Sequence, residues 1–150
     1  MKKRIRHIIF LSGLWVLLFP ATTIAQVNYQ HFLWAGQDEL SKSNYTQAIY
    51  DFNTALSSKP DGFEAYFLRG IAKYSLGDFK GAASDFSLTI RIHPLYTRAY
   101  QYRGISYDRM NNPNHALSDF AKALELDPFN PAIYVARGNT KMHIGNYQSA

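Results

Sequence analysis

The residues best suited to electrostatic chemistry are arginines and aspartates that recur every 34 residues. The two sets are Arg69, Arg103 and Arg137, and Asp51, Asp85 and Asp119. The arginines fall on helical stripes that are otherwise apolar, where an unpaired buried charge is costly. The sequence therefore predicts structural ion pairs between the two sets, and a ladder of arginines that binds an anionic ligand is the alternative.

Two registers of pairing are possible. Pairing within a repeat would leave Asp51 without an arginine, because Ala35 stands at the equivalent position. Pairing between repeats would join the aspartate of one repeat to the arginine of the next, as Asp85 with Arg103, and would leave no aspartate over. The count favours pairing between neighbouring repeats.

The other reactive side chains do not form a recognisable catalytic or metal site. The sequence has no cysteine, which excludes thiolate ligands and cysteine nucleophiles. The histidines after residue 25, which are His31, His93, His115 and His143, show no zinc-type spacing. The glycines are isolated, so no phosphate-binding loop is predicted. We expect no enzyme activity, no cofactor, no metal and no small-molecule substrate.

The repeated residues must be positioned by pairs of helices. Tyr66, Gly70 and Tyr74 are four residues apart, which places them on one face of a helix. A second apolar stripe follows the Gly77-Asp78 break and ends near Pro94. Each unit is therefore predicted to be two antiparallel helices, the second of them beginning after a capping residue. The predicted caps are Asn44, Asp78, Asn112 and Asn146.

The spacing of the small and aromatic residues resembles that of the tetratricopeptide repeat family. The matching positions are Gly36, Gly70, Gly104 and Gly138, then Ala48, Ala82 and Ala116, then Phe52, Phe86 and Phe120, and finally Pro60, Pro94 and Pro128. The resemblance implies an all-α fold, a right-handed α-solenoid of antiparallel helix pairs. Its units would be residues 29–62, 63–96, 97–130 and an incomplete unit at 131–150, which suggests a fragment of a longer protein. The mid-helix glycines indicate a close approach of the helix backbone, with Phe52, Phe86 or Phe120 filling the opposite side.

In this family the first helices of successive units line a concave groove that takes an extended peptide or a helix. Carried over by position, the groove residues would be Leu33, Gln37, Leu40, Phe67, Ile71, Tyr74, Gln101, Ile105, Asp108, Val135, Asn139 and Met142. Phe67, Ile71, Tyr74 and Ile105 are the predicted anchors, although some of these residues could instead pack only against neighbouring helices. Members that grip a carboxylate use a Lys, Arg and Asn set, of which this chain has only Lys73 and Arg109.

The amino-terminal segment Met1–Ala25 has the pattern of a secretory signal peptide. A basic start precedes an apolar run, Pro20 and small residues up to Ala25. An uncleaved membrane anchor is the alternative, and only then is membrane contact expected. The whole chain carries a formal charge of +5, but four basic residues and no acidic ones lie in this segment, which leaves 12 basic against 11 acidic residues. This near-neutral remainder argues against nucleic acid as a partner.

Together these features predict an exported scaffold, periplasmic or secreted, that binds a protein or peptide partner in its groove. The alternative is that the chain is the sensory or assembly part of a longer protein with a catalytic or signalling domain.

Overall fold

The computed structural model describes residues 26 and 28–148, so the predicted signal segment lies outside the described residues. These residues form seven helices and no strand. The helices are residues 28–41 (α1), Tyr45–Ser58 (α2), Phe63–Ser75 (α3), Phe79–Ile92 (α4), Thr97–Arg109 (α5), Pro113–Leu126 (α6) and Pro131–Gln148 (α7). Consecutive helices pack as antiparallel pairs, and first helices of adjacent units also touch one another. The predicted all-α solenoid is confirmed.

Close contact between a glycine and an aromatic ring fixes how the two helices of each pair meet. A Cβ atom built on Gly36 would lie 2.6 Å from Cε1 of Phe52, and the equivalent distances at Gly70 and Gly104 are 2.7 and 2.8 Å. A real Cβ atom does not fit at such distances, so these positions require glycine despite its cost of about 1 kcal/mol in a helix. The predicted close approach is confirmed in three units. At Gly138 a Cβ atom would meet nothing within 4 Å.

A residue with a left-handed backbone conformation follows the first helix of three units. Ser43, Gly77 and Asn111 are equivalent positions, with φ angles of 63°, 83° and 54°. The fourth unit was predicted to turn in the same way before Asn146, and this prediction is wrong, because α7 continues through Gly145 to residue 148. In the earlier units the second helix packs back on the first and holds the turn, whereas the described residues include no second helix for the fourth unit.

Asn44, Asp78 and Asn112 are N-cap residues as predicted, but only Asp78 makes the expected hydrogen bond. The carboxylate of Asp78 accepts from the backbone N–H of Gly81 at 2.8 Å. Asn44 and Asn112 make no such bond. The Asn44 amide instead donates to the Glu39 carboxylate at 2.7 Å, which lowers the pKa of Glu39. This bond uses the amide nitrogen of Asn44, whereas a cap bond would use its amide oxygen as the acceptor.

Candidate functional site

A groove of about 550 Å³ lies between α5 and α7, the first helices of the third and fourth units. Seven residues predicted from the sequence line it: Tyr74, Gln101, Ile105, Asp108, Val135, Asn139 and Met142. The lining residues that were not predicted to face the groove are Arg109, Phe120, Ala132, Ala136 and His143. We call this surface the α5–α7 groove. Its position on successive first helices agrees with the position expected from the repeat pattern.

The α5–α7 groove combines exposed apolar side chains with a few polar ones. Val135 and Met142 are 62% and 61% exposed, although both are large hydrophobic residues. The side-chain amides of Gln101 and Asn139 lie beside them and can both donate and accept hydrogen bonds. Such a mixture is typical of sites that bind another molecule, because apolar surface is otherwise kept from water.

One polar contact joins the two walls of the groove. The Nδ1 atom of His143 on α7 lies 3.1 Å from Oδ2 of Asp108 on α5. On the α5 wall of the groove, the guanidinium of Arg109 lies 4.9 Å from the centre of the Phe79 ring, within the range of a cation–π interaction. These contacts hold the charged side chains along the wall and leave the apolar residues accessible.

The structure corrects the prediction for two of the groove residues. Leu33 and Phe67 are only 3% and 2% exposed and belong to the hydrophobic core. The ring of Phe67 packs against those of Tyr96 and Tyr102, with centroids 5.0 and 5.7 Å away. In the next unit, Gln101 stands in the place of Phe67 and Ala136 in the place of Tyr102. The groove therefore opens where the covering side chain on the following helix is small.

Three further predicted residues do not line the α5–α7 groove. Leu40 and Ile71 are half-buried and pack on the first and second core clusters, respectively. Gln37 is exposed on α1, away from the groove. The packing of Leu33, Leu40, Phe67 and Ile71 agrees with the alternative that some predicted residues pack against neighbouring helices, whereas Gln37 does not pack in this way.

The arginine–aspartate pairs of the second and third repeats form within the repeat, so the prediction of pairing between repeats is wrong. Arg69 donates from Nε and Nη2 to the carboxylate of Asp85, at 2.9 and 2.6 Å. Arg103 makes the same forked contact with Asp119, at 2.8 and 2.7 Å. The register follows from the glycine and phenylalanine contacts, because the residue before each glycine must face the residue before its phenylalanine. The Asp119 hydrogen bond also raises the pKa of Arg103.

Each arginine also reaches the preceding repeat, through a neutral acceptor. Nη1 of Arg69 donates to Asn53 at 2.5 Å, and Nη1 of Arg103 donates to Ser87 at 3.0 Å. Asp51 is buried but has no salt bridge among the side chains that the structure describes. This is the outcome expected for pairing within a repeat. The arginines thus have a structural role in the second and third units.

Family models match the chain in two places. One, described as "TPR repeat", matches residues 36–77, and the other, described as "Tetratricopeptide repeat", matches residues 97–130. Together they match just over half of the chain. The chain belongs to the tetratricopeptide repeat (TPR) family. No curated sequence is significantly similar to it.

Solved TPR structures have the same fold at low sequence identity. The first TPR of Spaghetti (RPAP3), bound to the HSP90 peptide SRMEEVD, is 22% identical with a TM-score of 0.76, and the match covers 79% of this chain and 94% of that one. The Arabidopsis OM64 TPR domain is 22% identical with a TM-score of 0.77, covering 79% and 98%. A TPR protein from Parabacteroides merdae is 22% identical with a TM-score of 0.74, covering 81% and 48%.

The two cations that could serve a TPR carboxylate site are engaged elsewhere. The Nζ atom of Lys73 forms a salt bridge with Asp85 at 2.9 Å. Arg109 is stacked on Phe79, as described above. A carboxylate ligand would have to compete with a buried aspartate for Lys73. In this geometry neither Lys73 nor Arg109 is free of a partner within the protein.

Two further features are absent from the residues that the structure describes. No group of three or more His, Asp or Glu side chains is placed to hold a metal ion there. No described helix combines the length and hydropathy required to cross a bilayer.

Proposed function

We propose that this TPR protein is an exported protein-interaction scaffold that holds a segment of a partner protein in the α5–α7 groove. The observation that carries the proposal is the exposure of Val135 and Met142 inside a groove built from successive first helices. Two related folds were solved with peptides, the HSP90 peptide in Spaghetti (RPAP3) and the HSP70 peptide SGPTIEEVD in the second TPR domain of human RPAP3.

The chemistry of the groove specifies the kind of segment. Ile105, Val135 and Met142 offer an apolar surface, while the amides of Gln101 and Asn139 can bind polar backbone groups of an extended peptide. We therefore propose a partner segment that contributes apolar side chains at its centre. A peptide ending in acidic residues, such as SRMEEVD, is expected to bind more weakly than apolar peptides selected from a random display library.

Substitution of the two exposed hydrophobic residues tests the groove directly. Val135→Gln and Met142→Gln are each expected to weaken binding of the selected peptides by about 1–3 kcal/mol, because interface energy concentrates in central apolar contacts. The melting temperature should change little, since both side chains are exposed. Binding is measured by calorimetric titration and folding by circular dichroism.

Tyr50→Gln is the matched control, because Tyr50 is 63% exposed on α2, outside the groove. Its affinity for the selected peptides should equal that of the unaltered chain. Equal losses in the control and groove variants, or none in any of them, would remove the α5–α7 groove as the binding site.

Export is a separate part of the proposal and rests on the segment Met1–Ala25. Cleavage after Ala25 would give a protein that begins at Gln26, recovered outside the cytoplasm, and in bacteria from the periplasm or envelope. Mass spectrometry of the amino-terminal peptide from expressing cells measures this. An intact Met1 in the membrane fraction would instead support the membrane-anchored alternative.

The alternative that this chain is part of a longer protein with a catalytic or signalling domain stays a prediction.

A further inference from the structure

The preceding pair of first helices, α3 and α5, carries an aromatic ring in the space that is open in the α5–α7 groove. This ring belongs to Tyr102, and its centroid lies 5.7 Å from that of Phe67 and 5.9 Å from that of Phe86. The guanidinium of Arg98 lies 4.9 Å from the centre of the Phe67 ring and 5.9 Å from that of Tyr102. Side chains of α5 itself therefore close the space between α3 and α5.

One repeat later, the equivalent side chains on α7 are too small to close the space. The four positions are occupied by Ala132, Ala136, Gln101 and Phe120 in place of Arg98, Tyr102, Phe67 and Phe86, respectively. All four residues line the α5–α7 groove. We call the space that they border the Ala136 notch. Phe120 is buried at its floor, and Ala136 packs there in the way that Tyr102 packs on Phe86.

The Ala136 notch is open because of the residue type at position 136. Tyr102 faces the rings of Phe67 on α3 and Phe86 on α4, which belong to the preceding unit. In the same register Ala136 faces the third unit and packs on the cluster that contains Phe120. Both helices of that unit are described, as are both helices of the second. The open space therefore reflects the replacement of an aromatic ring by a methyl group.

The lining of the Ala136 notch favours an uncharged ring. Its side chains are two methyl groups, an aromatic ring and the amide of Gln101, none of them charged. The titratable residues Asp108, Arg109 and His143 lie about two helical turns further along the walls of the groove. A charged side chain in the notch would thus have no partner for its charge. A ring, in contrast, gains from contact with a neighbouring ring beyond the burial of its area.

We propose that the Ala136 notch binds one phenylalanine or tyrosine side chain of the partner segment. The ring takes the place that Tyr102 occupies between α3 and α5, and it lies above Phe120. This inference rests on the proposed function and makes it more specific, because the apolar side chains of the segment must then include an aromatic one. The residues of the segment next to the ring contact Val135 and Met142, which are exposed.

Peptide selection tests the requirement for a ring. Peptides selected from a random display library against the unaltered chain should share a Phe or Tyr at one position. Replacement of that residue by Leu in a synthetic peptide should weaken binding about tenfold, because an aliphatic side chain loses the contact between aromatic rings. Calorimetric titration measures both affinities.

The substitution Ala136→Tyr supplies the ring from the protein and should fill the notch. The variant should fold, because Tyr102 is accommodated at the equivalent position, and circular dichroism checks this. It should bind the aromatic peptide about tenfold more weakly than the unaltered chain does, and the difference between the aromatic and leucine peptides should disappear. Ala121→Tyr is the matched control, because Ala121 is exposed on α6 and does not line the groove. This control should retain the full difference between the two peptides.

The outcomes that overturn the inference differ from those that overturn the proposed function. Selected peptides without an aromatic residue, whose binding is weakened by Val135→Gln, would remove the notch as a site and leave the groove in place. A difference between the aromatic and leucine peptides that persists in Ala136→Tyr would show that the ring binds elsewhere. If the library yields no peptide that binds the unaltered chain, the groove and the notch both fail.

Discussion

Asp85→Ala is expected to lower the free energy of unfolding by about 3–5 kcal/mol, because it leaves buried charge without a partner. Asp85 is 2% exposed and is held by Arg69 and by Lys73. Its removal strands two cations whose side chains are only 16% and 23% exposed. Chemical denaturation monitored by circular dichroism measures the change.

The chain provides a matched control at the equivalent position of the first repeat. Asp51 is buried like Asp85 but lacks a described salt bridge, since Ala35 replaces the arginine. Asp51→Ala should therefore cost much less than Asp85→Ala. In a double-mutant cycle Asp85 should couple strongly to Arg69 and not to Arg103. Coupling to Arg103, or equal costs at the two aspartates, would contradict the observed register.

The second large effect is expected at Phe67. Phe67→Ala should destabilise the protein by about 3–5 kcal/mol, because truncation of a buried aromatic side chain leaves a cavity. The Phe67 ring is enclosed by those of Phe86, Tyr96 and Tyr102. The loss should be seen as a lower melting temperature and a lower denaturant midpoint.

Gln101→Ala is the comparison for Phe67→Ala, because Gln101 occupies the same position one repeat later. Gln101 lines the groove and is only half-buried, so its truncation should cost less than about 1 kcal/mol, in the range of surface substitutions. If Phe67→Ala left stability unchanged and only weakened peptide binding, Phe67 would be a groove residue, as the sequence alone had suggested.

The repeat pattern was sufficient to predict the helix pairs and the contact between glycine and phenylalanine. The helix pairs follow from the local period of the apolar residues, and the contact follows from the absence of a Cβ atom in glycine. The sequence shows both directly. Gly138 has no such contact, because no described helix carries an equivalent of Phe52, Phe86 and Phe120 beside it. The presence of an N-cap residue type at Asn146 was not sufficient to end α7 there, because the turn between two helices also depends on packing of the following helix.

The pairing register was predicted wrongly although the necessary signal was present. Counting partners favoured Arg103 for Asp85, whereas the contact of Gly70 with Phe86 requires the preceding residues, Arg69 and Asp85, to meet. A buried aspartate without a cation, as at Asp51, was treated as improbable, but the fold tolerates it. Geometry within the helix pair therefore decides the partners, and equal numbers of opposite charges do not.

The sequence of a single repeat was not sufficient to predict which groove residues are accessible. Exposure depends on the residue 35 positions later, on the next first helix: Tyr102 covers Phe67, whereas Ala136 leaves Gln101 open. This relation between helices is a property of the packed solenoid. It confines the candidate site to the carboxy-terminal part of the predicted groove.

Site-specific photo-crosslinking in cells tests the central claim, that the α5–α7 groove binds a partner protein. A photoreactive amino acid replaces Asn139, which lines the groove, or Tyr50, which is exposed on α2 outside it. The account predicts a discrete crosslinked protein from position 139 that is lost when Val135→Gln is added, and no such product from position 50. Crosslinking of the same protein from position 50 but not from position 139 would contradict it.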